Sequence, residues 1–532
     1  MTDRTRYALL LSYVVVTFLS FPQPIAGTVI DLGVWVGWFG PALLILGLWG
    51  TEPRRAAKLG FLAGMAGQTA VLHWLYIVSV DYGHAPAAIG LLGPIGMGAH
   101  TGVFFALFAL SFAWFERRGR ASPWLVAGLW TTVEALRAAG QIGFPWSTVG
   151  YTQYHNSALL GIVSYTGVYG LSFATVLGGA ALARAVIDWY STRRISGAVW
   201  VATAGVAALH AAGAVSFAMV PAADAGRESI RVAVLQGNID QGVKWNQNWV
   251  ERTIVIYEEL SREAAALGAE VIVFPESAVP GALNSDVSLR YRLTQLAQQT
   301  GAAFVVGSIA RESEPGQRTS RFFDSAFVLQ STGEFTDRYD KSHLVPFGEY
   351  VPLGEWIGWL FKAVAQGMAT RGVTRGPGPR AVSLDVESLD SSPLTAGVPI
   401  CYELLFPDRT RRFVRDGAQL LLAITNDAWY GRTGAPYQFL AITAVRSAEN
   451  GVWTARAANT GVSAFIDSHG RVREQTAIFE RGLLVEDVPL RDPRAAGTFY
   501  ARNGDIFVYL CAAAVAAMVV LAFRRGTVDR PA

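Results

Sequence analysis

LTAGVPICYELLF, residues 394–406, decides how the second half of this chain folds. A short apolar run ends on Cys401, and Tyr402 and Glu403 follow at once. In α/β sheets the carboxyl ends of strands are where reactive groups gather. Comparable runs recur on either side of it: SIRVAVLQGN (229–238), EVIVFPE (270–276), AAFVVGSIA (302–310), FFDSAFVLQ (322–330), QLLLAITN (419–426) and GVSAFID (461–467). Helix-like stretches at 246–267, 286–300, 403–417 and 437–450 lie between them. The alternation predicts an α/β domain over 229–490. GPGPR (376–380) and the four residues from Asp390 to Pro393 read as loops.

The remainder is of a different kind. Over 532 residues, 52% are hydrophobic and only 16% charged, and the mean hydropathy is +0.30. Soluble enzymes seldom run so apolar, which directs attention to membrane spans. Apolar segments at 7–22, 28–50, 57–79, 90–115, 122–138, 157–187 and 197–220, then 504–523, predict eight. The sixth is long enough to tilt or to contain an interfacial turn. The expected organisation is a seven-span domain over 1–220, a catalytic domain over 221–503, and a last span with its tail over 504–532.

The basic residues orient these spans. Arg4 and Arg6 precede the first; Arg54, Arg55 and Lys58 follow the second; Arg117, Arg118 and Arg120 follow the fourth. Arg184, Arg193 and Arg194 follow the sixth, and Arg524 and Arg525 the eighth. The alternate connections 23–27, 80–89 and 139–156 hold no Lys or Arg. Positive charge stays on the cytoplasmic side, so both termini are expected there and the 221–503 segment outside. A cleaved leader is the other reading of the N-terminus, but no small-residue cleavage site follows it. The net charge of +3 gives no ground for nucleic acid as a partner.

The composition also narrows the chemistry. Two cysteines exclude a disulfide framework, because Cys511 lies within the apolar run IFVYLCAAAVAAMVVLAF and reads as a small buried hydrophobe. The seven histidines are scattered, so neither a structural metal nor another cofactor is expected. Cys401, Glu276 and Lys341 each fall beside a strand-like run. A thiol becomes nucleophilic beside a base or a positive charge. Glutamate can take its proton, and lysine can steady the thiolate and an oxyanion. Spacing by itself does not prove the trio, and each residue taken singly reads as structural sooner than catalytic.

FPES (274–277), YDKSHLVPFGEYVP (339–352), GVPICYE (397–403) and TNDAWYG (425–431) resemble the signature blocks of the carbon–nitrogen hydrolase (nitrilase) superfamily. With the spans around them, and with GFPW (143–146), QGNIDQGVKW (236–245) and RAANTGVSAFID (456–467), the chain is similar to the apolipoprotein N-acyltransferase family. The resemblance implies a nitrilase-like αββα sandwich on a multi-span helical membrane domain. It implies a bacterial inner-membrane enzyme with its catalytic domain outside. Such an enzyme moves an acyl chain from a phospholipid, through a Cys401 thioester, to the α-amine of a diacylated apolipoprotein. Glu276 would be the general base, Lys341 the electrostatic stabiliser and Cys401 the nucleophile. Glu349 would support them, Tyr402 and Glu403 match residues important to the family, and Trp245 matches a substrate-facing aromatic. Phe274, Phe439 and Val452 depart from the family pattern, which commonly has Trp, His and Arg there.

Two further features stand apart. Trp356, Ile357, Trp359, Leu360 and Phe361 cluster in PLGEWIGWLFKAVAQGM (352–368). The cluster is expected to form a lipid-access arm dipping into the outer leaflet rather than a core helix. Glu134 and Arg137 lie three apart in the fifth span and either pair with each other or touch a lipid head group. Two other functions stay open from sequence: a membrane-tethered amidase or nitrilase acting on small C–N substrates, and a channel with an outer domain. The first would keep its activity in the detached 225–500 domain; the second would tolerate Cys401→Ser.

Overall fold

A computed structural model describes the chain except residues 220–223, 225, 241, 243–246, 314–319, 351–371, 390–392, 496 and 525–532. Among the described residues, four helices are long and apolar enough to cross a membrane: Ala87–Arg117, Val168–Thr192, Gly197–Met219 and Ile506–Arg524. Pro53–Val71 and Leu75–Tyr82, bent by 70°, make a fifth crossing if taken together. The other three expected spans are helical but shorter. Asp3–Leu19 has 17 residues and Pro123–Arg137 has 15, which at ~1.5 Å per residue falls short of a ~30 Å hydrocarbon core. In the expected 28–50 span, the strands β1 (Gln23–Ile25) and β2 (Thr28–Ile30) form a hairpin that takes up the start, leaving only Gly33–Leu48 helical. The sixth span breaks at Gly167, whose φ of 64° stops Ser157–Thr166 and lets Val168–Thr192 begin afresh. Small residues permit tight helix contact in the bundle. A Cβ on Gly64 would lie 2.4 Å from Phe105 Cγ.

The second half is two sheets face to face with helices outside. The first sheet holds β3 (Ser229–Gln236), β4 (Val271–Val273), β5 (Val279–Ala282), β6 (Ala303–Ser313), β7 (Ser320–Leu329) and β8 (Phe335–Asp340). The second runs β14-β13-β12-β11-β10-β9, with β9 (Ala381–Leu384), β10 (Leu394–Gly397), β11 (Leu420–Thr425), β12 (Thr454–Ala458), β13 (Ala464–Ile466) and β14 (Val472–Gln475). β15 (Gly482–Pro489) returns to the first sheet, antiparallel to β3. Alternation along the strands makes the sandwich. Ile230, Val232 and Val234 join the core shared with the second sheet. Ala233 and Leu235 pack with Ile254, Tyr257, Leu289 and Leu293 of the outer helices Gln247–Ala266 and Val287–Thr300. β11, LLLAIT, is parallel to both neighbours and buried at every residue, which explains its unbroken apolar run.

Helix Ala435–Asn450 is buried at every residue but the half-buried Tyr437, because it lies between the sandwich and the membrane domain. Its Gln438 accepts a hydrogen bond from Trp146 Nε1 at 2.8 Å. Its Arg446 donates to Tyr151 Oη at 2.7 Å, and Glu449 accepts from the Val168 N–H at 2.6 Å at the start of a membrane helix. Arg446 and Glu449 pair at 2.7 Å with no solvent exposure. Burial raises the Glu449 carboxyl to about 7, although Arg446 opposes this.

That raised value gives the domain junction a pH dependence. Protonated Glu449 favours the docked fold below the ordinary glutamate value of 4.5, and the benefit fades as pH climbs through about 7. The full loss is about 3 kcal/mol. Thermal unfolding in detergent is expected to show stability falling from pH 5 to pH 8, with Glu449→Gln flattening the slope. An unchanged slope in that variant would refute the assignment.

Candidate active site

Four strand ends converge on one pocket. β4 leads to Glu276, β8 to Lys341, β10 to Cys401 and β11 to Asn426. Gly307 on β6 lets the β4 exit pass close by: a Cβ there would sit 2.0 Å from Pro275 O. Cys401 opens the short turn Cys401–Leu405 with φ of 48°, and Ser277, just after Glu276, has φ of 50°. Left-handed backbone at two non-glycine residues beside one site is strain that the surroundings must hold in place.

Glu403 does much of the holding. Its fully buried carboxylate accepts from Tyr339 Oη (2.7 Å), Ser342 N (2.8 Å), Ser342 Oγ (2.6 Å), His343 N (3.2 Å) and Ile400 N (2.9 Å). The loop carrying Lys341 is thereby tied to the turn carrying Cys401. Tyr402 points the other way. Its hydroxyl meets Gly143 O of the membrane domain at 3.5 Å, and its ring stacks on His343.

Lys341 is 1% exposed, and its ammonium is surrounded by carboxylates. Nζ lies 2.7 Å from Glu276, 2.5 Å from Glu349 and 3.5 Å from Asp324. Those three acids offer oxygens within 4.8 Å of one another, a spacing that would suit a metal ion, and the ammonium takes that role. Glu276 also accepts the Asn426 N–H at 2.8 Å and a hydrogen bond from the Cys401 thiol. Glu349 is fixed in turn by the Val345 N–H at 2.8 Å.

Burial and charge divide the protons among these groups. Burial opposes the Lys341 ammonium, yet Glu276 and Glu349 hold it well above the ordinary lysine range. Burial opposes the Glu276 carboxylate, yet Lys341 and the surrounding donors keep it below the ordinary range. Asp324 is pushed well up, first by burial and then by Glu276. That direction favours its protonated form, which can donate to Glu276. Burial likewise raises Glu349 against the pull of Lys341. Cys401 is raised well above the ordinary thiol by burial and by Glu276, with Lys341 opposing. The resting pocket is a thiol hydrogen-bonded to a carboxylate, beside an ammonium.

The structure brings together Glu276, Lys341, Cys401 and Glu349, with Tyr402 and Glu403 flanking. Trp245, Trp356, Trp359 and Phe361 lie outside the described residues. Phe274 packs between Tyr257 and Phe304 in the outer core, and Val452 is buried. Phe439 lies against Trp146, under the Arg456 guanidinium. All three departures from the family pattern are thus filled by core packing. Glu134 and Arg137 approach only to 3.9 Å. Glu134 instead accepts the Val149 N–H at 2.9 Å, and Arg137 donates to Thr148 Oγ1 at 3.2 Å.

Sequence reasoning missed Asp324, although an acid inside the apolar run FFDSAFVLQ was a signal, since a carboxyl is seldom buried without partners. It also missed the aromatic roof over the pocket. Tyr430 follows β11 on the turn Asp427–Tyr430, with Trp74 at 4.9 Å and Trp146 at 5.5 Å from the membrane domain.

A thiol, a carboxylate and an ammonium at the strand ends of a two-sheet sandwich define a carbon–nitrogen hydrolase catalytic domain, and the family model "Carbon-nitrogen hydrolase" matches residues 231–497. The model "Apolipoprotein N-acyltransferase N-terminal domain" matches residues 15–181. The chain is 36% identical over 515 residues to the apolipoprotein N-acyltransferase of Geobacter metallireducens, covering 96% of this chain and 94% of that one. It is 34% identical over 458 residues to that of Nitrosomonas europaea, covering 82% and 83%. Among solved structures, an amidase from Nesterenkonia sp. AN1 matches with a TM-score of 0.37 and 19% identity, over 53% of this chain and 99% of that one. The chain belongs to the apolipoprotein N-acyltransferase family, and is a membrane-bound acyltransferase.

Asp324 supplies a test of the proton arrangement. Asp324→Asn replaces one neutral group by another and is expected to hold N-acyltransferase activity within about tenfold of wild type. Asp324→Ala, which removes the donor to Glu276, is expected to lose about a hundredfold. Equal losses in the two variants would show that Asp324 is not a neutral donor.

Proposed function

We propose that Cys401 carries an acyl chain as a thioester between a membrane phospholipid and the α-amine of a diacylglyceryl-cysteine at a lipoprotein N-terminus. One observation carries the mechanism: Lys341 Nζ stands 2.7 Å from Glu276, which holds the Cys401 thiol. As sulfur attacks the ester carbonyl carbon, the thiol proton passes to Glu276. The developing oxyanion is met by the Lys341 ammonium and by backbone N–H groups at the Cys401–Tyr402 turn. Collapse breaks the ester C–O bond, and Glu276 returns the proton to the departing lysophospholipid oxygen. The lipoprotein amine then attacks the thioester carbon. Its proton goes to Glu276, the C–S bond breaks, and the sulfur regains a proton as the amide is released.

Because the thiol is raised, little thiolate waits for adventitious reaction. Attack depends on proton transfer within an assembled complex. Trp74 and Trp146 of the membrane domain pack ring against ring on Tyr430, which neighbours Cys401, and bring apolar surface to the site. That surface favours a lipid chain over water and supports acyl transfer over amide hydrolysis. Both substrates are bilayer-anchored, which lowers the entropic cost of their meeting. The five basic clusters support cytoplasmic termini and an outward catalytic domain in a bacterial inner membrane, with the chain divided at 1–220, 221–503 and 504–532.

Intact-protein mass spectrometry after incubation with phosphatidylethanolamine tests the scheme. An acyl adduct on Cys401 is expected to accumulate without acceptor, to vanish when a diacylated lipopeptide is added, and to be absent from Cys401→Ser. Turnover of the lipopeptide by Cys401→Ser would sink the mechanism.

A further inference from the structure

His343 follows the Lys341 loop and is 6% exposed, yet its Nδ1 has no hydrogen-bond partner among the described residues. Its ring lies 4.0 Å from that of Phe406 and stacks at 5.7 Å on Tyr402, the neighbour of the nucleophile. Burial, helped by the positive charges of Arg409, Arg375 and Lys341, lowers the imidazole to about 4. It is therefore neutral, with a ring nitrogen able to donate to an anion.

The two arginines are placed by independent features. Arg375 is exposed and sits just before Gly376, whose N–H binds Lys341 O at 2.9 Å. It also acts on Tyr350, and the Tyr350 hydroxyl meets Gln141 O of the membrane domain at 3.3 Å. Arg409 is half-buried in the first turn of helix Pro407–Arg415, directly after the Cys401 turn. Among the described residues, neither guanidinium meets a carboxylate at ion-pair distance. Asp408 is taken by Arg411 and Arg412, both at 2.6 Å, and Glu403 is filled by its five donors. Two guanidinium groups with no ion-pair partner among the described residues thus act on an imidazole that stacks on Tyr402, next to Cys401.

We propose that Arg375, Arg409 and His343 form the subsite for the phosphodiester of the lipid donor. Planar guanidinium forks match phosphate oxygens two at a time, and the imidazole adds a short neutral donor. In a phospholipid the glycerol joins the phosphate to the ester carbonyl. A phosphate held beside His343 therefore brings that ester toward Cys401. The subsite rests on the thioester mechanism proposed above and assigns its first substrate a handle.

The test compares two acyl donors with the full-length enzyme in detergent micelles: phosphatidylglycerol, and p-nitrophenyl palmitate, which has no phosphate. Acylation of Cys401 is read by intact mass. In the Arg375→Gln/Arg409→Gln variant the ratio of kcat/KM for phosphatidylglycerol over p-nitrophenyl palmitate is expected to fall at least about tenfold. An unchanged ratio, with acylation still occurring, overturns the subsite alone. If wild type takes an acyl group from neither donor, the thioester mechanism itself fails and the subsite with it. Titration with inorganic phosphate separates the sources. Micromolar binding that the two substitutions abolish without changing the donor ratio would make this a free-anion site and overturn the lipid assignment.

Discussion

The buried Lys341 ammonium is the constraint on which the site depends. A single cation without water must be surrounded by acceptors, and three acids provide them. Burial and the neighbouring Glu276 push the Asp324 carboxyl well up, and burial raises Glu349 as well, so both hold a proton more tightly than Glu276 does. The remaining charge keeps Glu276 ionised and makes the Cys401 thiolate unfavourable until a substrate is present to receive it. The chemistry follows from how one cation is shared.

Holding this arrangement requires the surrounding fold. Each group leaves a different strand, so their relative positions depend on both sheets. Glu403 ties the lysine loop to the Cys401 turn, and helix Ala435–Asn450 fastens the sandwich to the membrane bundle through Gln438, Arg446 and Glu449. The turn following β11 serves both sides. Asn426 binds Glu276, while Tyr430, four residues on, packs beneath two membrane-domain tryptophans. The charges of the pocket are thus placed by contacts from both domains.

Much of this was legible in the residue order. The run ending at Cys401, the apolar LLLAIT strand and the alternating SIRVAVLQ strand all became the elements expected of them, because burial on one or both faces imposes a pattern that a sequence displays directly. β5, β8, β9, β12, β14 and β15 were not read, since VPGA, FTDRYD, AVSL, TARAA, VREQ and GLLVEDVP contain polar residues or few positions, and their strand state comes from pairing with neighbours. The sixth segment was long enough to allow a turn, though not to place it at Gly167, and the break after Val71 was hidden, because hydropathy registers apolar length but not direction. Asp324 and the aromatic roof depend on contacts between distant segments, which no local window contains. Glu403 was named as a site residue, but its place behind the pocket as a five-donor clamp is visible only in three dimensions.

The central claim is that Cys401 rests as a thiol whose activation depends on the charges around Lys341. Its alkylation by iodoacetamide, followed against pH in a Cys511→Ser background, tests this most directly. Half-maximal reactivity is expected above the ordinary thiol value, and Lys341→Met is expected to slow alkylation at pH 8 at least about tenfold. A profile already saturated at neutral pH, or one indifferent to loss of the ammonium, would contradict it.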